Sequence, residues 1–490
     1  MIRLLQVELK KILKRKSIYI IWILMLIFCL LNNILFFTDY DNDGNYKYFD
    51  SDNLIEEQTK LESELEKYSK DNSNEVSMYI TLKTKLDIIK LKQKYEVNSF
   101  QYNKINDYLY DTIYNLYYYK EIESNTESLK KEEIKYQEIL TNLDNNNYKY
   151  FLNKELELLK SINDDLRRNY DEESDVLVKE ELLDKIEENE FSIKILKTRD
   201  SLNIEEDNSY LNESLISYQE NYKTIKYYNN LDRKLTYDEK KSYNEALSKV
   251  KINQYIIENK QNINKQNNLN YQLRTILEDY EIFIIMLVLI VSSIVICDEF
   301  KDGTIKLLLI KPYSRCKILL SKYFTVIIVL ILSILLLIGM QFIIGGIIFG
   351  FNSLDVPVVV YNFTKQEIVE YHVLYYMLLR IISKLPFLLI LISISFFLSI
   401  LLTSTIISIT MPLMLYMFAP TLNYLMEEYK LIFMKYLVNV NWSLEEYLFG
   451  NLPKIEYITL EFSCLILLIY FIGLGILTFI IFKKKNIKNI

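Results

Sequence analysis

The sequence predicts an all-α membrane protein: six transmembrane helices, with a large helical, coiled-coil-like extracellular domain inserted between the first and second. Three observations carry that expectation. Several apolar runs have the length a helix needs to cross a bilayer. A polar block from 38 to 280 contains no proline and one glycine, Gly44. Lys and Arg gather in short segments between and beyond the apolar runs.

The first run, Ile18 to Phe37, has 20 residues and is uncharged, with Asn32 and Asn33 near its end. At about 1.5 Å per residue it reaches across a hydrocarbon core of about 30 Å. It is longer than a signal-peptide core, and Thr38-Asp-Tyr-Asp-Asn offers no small-residue cleavage site, so an uncleaved anchor is expected. Further spans are expected at 281–297, 323–349 and 462–482. The run from Leu385 to Ala419 is too long for one crossing, and Thr403-Ser404-Thr405 divides it into spans 385–402 and 405–420. External loops are then expected at 350–384 and 421–461, the second with short amphipathic helices. Pro412 should kink the fifth span. Gly339, Gly345 and Gly346 should let helices approach closely beside the polar Gln341.

Charge sets the orientation. Segments 1–17, 298–322 and 483–490 carry 6, 6 and 4 Lys plus Arg, whereas the block 38–280 holds 50 Asp plus Glu against 35 Lys plus Arg. Basic residues favour the cytoplasmic side, so both termini are expected inside and the acidic block outside. Within 1–17, Ile2, Leu5, Leu9 and Ile12 recur at helical spacing, an amphipathic helix lying in the inner interface and touching membrane lipid. A mechanical part and a plain topogenic signal both remain open for it. Arg380 and Lys384 stand before the fourth span, within snorkelling reach of the interface.

In the polar block, Leu82, Leu86 and Ile89, and again Leu152, Leu156 and Leu159, step by three and four as helix seams do. Leu182, Ile186, Ile193 and Leu196 repeat the pattern around Asn189. Asn145-Asn146-Asn147 and Asn229-Asn230 punctuate it, so several helices joined by turns are expected. The four cysteines, 29, 297, 316 and 464, all lie outside this block, which must be held by packing instead of disulfides.

Chemistry-bearing patterns are few. The single histidine, His372, sits in an expected loop and can build neither a triad nor a metal cluster. Gly303 has no second glycine nearby to make a phosphate cradle. The sequence therefore leads us to expect no catalytic site, no metal and no cofactor in this chain, no nucleic-acid partner, and any energy source on another subunit.

What stands out is Asp298-Glu299-Phe-Lys-Asp-Gly303-Thr304, then Leu307-Leu308-Leu309 and Pro312-Tyr-Ser314-Arg315, ahead of Ser321-Lys322. Glu299 is placed to cap the next helix or pair with Arg315; Gly303 permits an unusual backbone angle; Pro312 ends a helix and Ser314 caps another. This string resembles the signature of bacterial ABC type-2 export permeases, and the resemblance extends over about half of the chain. It implies a coupling helix resting in a groove of a cytosolic ABC ATPase, with Glu299, Gly303, Thr304, Leu308, Pro312, Ser314 and Arg315 as coupling residues. A second permease, the same or a related chain, and an amphipathic cargo are implied with it. The external block is larger than in minimal members of that family. A second resemblance, to phage-infection-protein-like surface proteins, implies instead a receptor or secretion scaffold that needs no ATPase.

Overall fold

The computed structural model describes residues 1–41, 43–68, 75–97, 99–123, 126–206, 209–305, 313–450 and 458–485. The chain forms two units, one of Met1–Tyr40, Asn221–Tyr255 and Ile263–Ile490, the other of Asp41–Glu220 with Ile256–Asn262. Both are built from helices; among the described residues the one sheet is a hairpin of β1 (Val358–Asn362) and β2 (Glu367–Tyr371), antiparallel with Val360 opposite Val369.

Among the described residues of the first unit, six helices are long and apolar enough to cross a membrane. They are Lys16–Asp41, Glu281–Lys301, Arg315–Phe349, Val373–Leu402, Thr405–Glu428 and Leu460–Lys484, hereafter the first to sixth apolar helices. The second and fourth are the most enclosed, while the first, fifth and sixth leave most of their apolar surface uncovered, as lipid-facing helices do. Where lipid gives no hydrophobic drive between helices, small polar groups join them. Ser292 of the second donates to Ser395 of the fourth at 2.7 Å, and Asn33 of the first exchanges amide hydrogen bonds with Gln341 of the third, at 3.1 and 2.9 Å.

Several helix bounds differ from the expected spans. The third apolar helix starts at Arg315 instead of 323, because Ser314 caps it by accepting from the Lys317 amide. The fourth starts at Val373 instead of 385: His372 Nδ1 accepts from the Leu374 amide at 3.3 Å, so the lone histidine is a helix cap. Arg380 and Lys384, expected to reach out to an interface, lie within this helix and are buried. Thr403 adopts a left-handed conformation between the fourth and fifth helices. Between the fifth and sixth run short helical turns at Ile432–Tyr436, Val438–Asn441 and Leu444–Gly450.

The second unit packs its helices pairwise. Leu82, Leu86 and Ile89 are buried along Val76–Lys92, as are Leu152 and Leu156 along Tyr148–Glu172. That helix turns back through Ser174 into Val176–Leu202, whose N-cap Asp175 accepts from the Leu177 and Val178 amides at 2.8 and 3.4 Å. Asn189 sits in the seam between the two and is satisfied there, donating to the Leu159 carbonyl at 2.7 Å. Among the described residues of this unit the most buried charge is Lys104, held by Glu155 at 2.5 Å and Glu206 at 2.9 Å.

Candidate functional site: a buried charge network

The N-terminal helix Ile2–Leu13 turns Leu4, Glu8 and Ile12 inward, one residue per turn, while Ile2 is left exposed. The buried stripe thus shares Ile12 with the Ile2-Leu5-Leu9-Ile12 face the spacing indicates but is otherwise turned from it, and it includes an acid. Burying a carboxylate is costly unless it is paired. Its partner is Lys322, in the second turn of the third apolar helix, whose Nζ donates to Glu8 Oε2 at 3.0 Å.

Lys322 serves a second acid. Its Nζ lies 2.7 Å from Glu299 Oε2, an ion pair without hydrogen-bond alignment, and it donates to the Val295 carbonyl at 3.3 Å. Lys11 closes the network from the N-terminal helix, donating to Glu299 Oε1 at 2.7 Å. Lys322, Glu8 and Glu299 have side chains 1%, 4% and 2% exposed, against 42% for Lys11. Three helices thus meet on one buried ammonium. Arg15, where the chain leaves the N-terminal helix, pairs with Asp298 alongside.

The expected site residues fall around this network. Glu299 belongs to it, and its partners are Lys11 and Lys322, not Arg315. It lies within the second apolar helix, which runs on to Lys301, and so caps no helix start. Arg315 points elsewhere, donating to the carbonyls of Phe482 and Lys483 at 3.2 and 2.6 Å. This satisfies two carbonyls of the last turn of the sixth apolar helix and places a cation on its negative end. Gly303 has φ +65°, a conformation side chains resist, and follows the second apolar helix directly. The buried Thr304 hydroxyl has no hydrogen bond among the described residues. Ser314 caps the third helix. Leu308 and Pro312 lie outside the described residues.

Glu8 and Lys322 were missed as site residues. The signal was there: Glu8 is the only acid in residues 1–17 and lies on the same helical stripe as Leu4 and Ile12. Lys322 directly precedes a long apolar run, where a charge needs a partner.

A second charged cluster occupies the other end of these helices. Arg380 pairs with Glu278 at 2.6 Å and Glu445 at 3.5 Å; Lys384 pairs with Glu281 at 3.0 Å and Glu445 at 3.6 Å. Their burial has the same physical reason as that of Lys322: each base arrives with its acids. No group of His, Cys, Asp and Glu able to hold a metal ion occurs among the described residues.

A family model described as a protein of unknown function (DUF2705) matches residues 246–488. The uncharacterized protein YhcI of Bacillus subtilis (strain 168) is 29% identical over 201 residues, which is 41% of this chain and 64% of YhcI. The chain therefore covers just under two thirds of that relative. No solved structure matches. The family-model match contains Glu299 and Lys322 but begins long after Glu8 and Lys11.

Proposed function

We propose that this chain is the membrane subunit of an ABC-type exporter in a bacterial cell membrane. ATP is hydrolysed on separate cytosolic subunits, a second permease completes the translocator, and the cargo is amphipathic: a lipid, peptide or antimicrobial. Both termini and the segment 298–322 face the cytoplasm in this reading, and the unit built on Asp41–Glu220 lies outside.

One observation carries the proposal. The buried Lys322 ties the N-terminal helix, the second apolar helix and the third apolar helix into one body, and the Gly303 turn leaves that body directly into the segment that resembles a coupling element. Packed, ion-paired interiors transmit displacement instead of absorbing it. A push on 304–314 by a nucleotide-driven partner would therefore move all three helices together.

The test is retention and coupling of an ATPase. Solubilised in mild detergent, the native chain should keep a Walker-motif ATPase bound. Glu299→Gln combined with Gly303→Ala should insert normally and yet lose the influence of the permease on nucleotide turnover. Repeated absence of any ATPase from the native preparation would instead favour the receptor or scaffold reading.

A further inference from the structure

At the end of the apolar helices remote from Lys322 lies a recess of about 510 Å³, within the range of small-molecule sites. Its wall is aromatic. Phe387 meets Trp442 edge-on at 5.0 Å and Tyr416 at 5.7 Å, so three rings pack as one group from the fourth helix, the fifth helix and the segment after it. Five charged side chains line the recess: Asp238, Glu281 and Glu445 against Lys241 and Lys384. Lys384 is paired with Glu281 and Glu445, and Glu445 Oε2, buried without a hydrogen bond, lies 3.5 Å from the Arg380 guanidinium.

We infer that this recess binds the ammonium head of an amphiphile. The three carboxylates of the lining, one more than its lysines, and the aromatic faces together attract a cation of low hydration. The two acids are held in place by Lys384 and Arg380, so the site is preorganised. The fifth helix offers the apolar continuation through Met417 and Ala419, where the tail of the ligand lies. A free cationic amphiphile and the choline head of a membrane lipid share this chemistry. The assignment stands apart from the export reading, because occupancy is measured without nucleotide.

The chain contains two tryptophans, so Trp22→Phe leaves Trp442 as the sole reporter, inside the recess. The full-length Trp22→Phe protein, in nanodiscs of an uncharged galactolipid, is titrated with decyltrimethylammonium and, separately, with decyl sulfate. The expected result is a saturable change in Trp442 emission with the ammonium probe alone. Met417→Arg places a cation on the lining of the recess and should raise the half-saturation about tenfold or more. Glu281→Gln with Glu445→Gln should do the same where it folds. Nanodiscs of phosphatidylcholine separate the sources: suppression of the signal assigns the site to the lipid head, and persistence assigns it to the free amphiphile. Equal saturable responses to both probes, or an unchanged half-saturation in Met417→Arg, overturn the assignment.

Discussion

Replacing Lys322 by Met tests the network most directly, since Met matches the four-atom stem of the side chain and lacks the ammonium. Both acids approach the same nitrogen, at 3.0 and 2.7 Å, so their oxygens can be no further apart than those distances laid end to end, 5.7 Å. Without Lys322 they become like charges in a site shielded from water. Removing one partner of a buried pair costs about 3–5 kcal/mol. Lys11 still neutralises Glu299, so the lower end of that range applies, about 3 kcal/mol, or a factor of roughly 150 in the folding equilibrium. The assay is unfolding of the purified chain in detergent, read as a thermal or denaturant midpoint. Neutralising the acids as well, in Lys322→Met with Glu8→Gln and Glu299→Gln, should recover most of the loss, because a buried network replaced by neutral groups is often no less stable. A single variant within about 0.5 kcal/mol of native, or a triple variant no better than the single one, would refute the reasoning.

Three further outcomes are expected. In intact cells a membrane-impermeant maleimide should leave Cys316, which is exposed, unlabelled, and permeabilisation should expose it; labelling from outside would reverse the proposed orientation. In the second unit, desolvation lowers the Lys104 pKa, but attraction by Glu206 and then Glu155 outweighs it and leaves the pKa above its ordinary 10.5. A raised pKa gives stability that is full below the ordinary value and is lost as pH rises through the shifted one. The stability gap between native and Lys104→Met should hold steady up to about pH 9 and close above about pH 10.5. Gly450→Ala should disrupt the hairpin end of the first unit: φ is +74°, and a Cβ there would lie 1.9 Å from Asn362 Oδ1, which already accepts from the Lys365 amide. A melting midpoint indistinguishable from native would contradict it.

Helix positions were legible where a local rule sufficed. Asn145 to Asn147 end one helix and begin the next, with Asn146 at φ 55°, because a short amide side chain tolerates the left-handed region that a helix end requires. The turn at Thr403 falls in the polar gap of a run too long for one crossing. Pairing was not legible. Glu299 reads locally as a neighbour of Arg315, sixteen positions on, yet its partners come from residues 11 and 322, and nothing in spacing links three helices so far apart in the chain. The start of the fourth apolar helix was missed for a related reason. Arg380 and Lys384 look like the end of a span by hydropathy, because their compensation by Glu278, Glu281 and Glu445 is supplied by other elements.

The two charged clusters differ in a way that bears on motion. Around Lys322 the ammonium and both acids are sealed, and the N-terminal helix cannot slide without stranding Glu8, so this end resists rearrangement. Around Lys384 the acids are shared and partly exposed, at 25% for Glu281 and 29% for Glu445, beside an open recess and a helix carrying Pro412 and Pro420. Prolines remove ladder bonds and let a helix bend at low cost. Rearrangement is therefore easier at the recess end than at the Lys322 end. In the proposed exporter, a push at the stiff end would become a change of shape at the adaptable one.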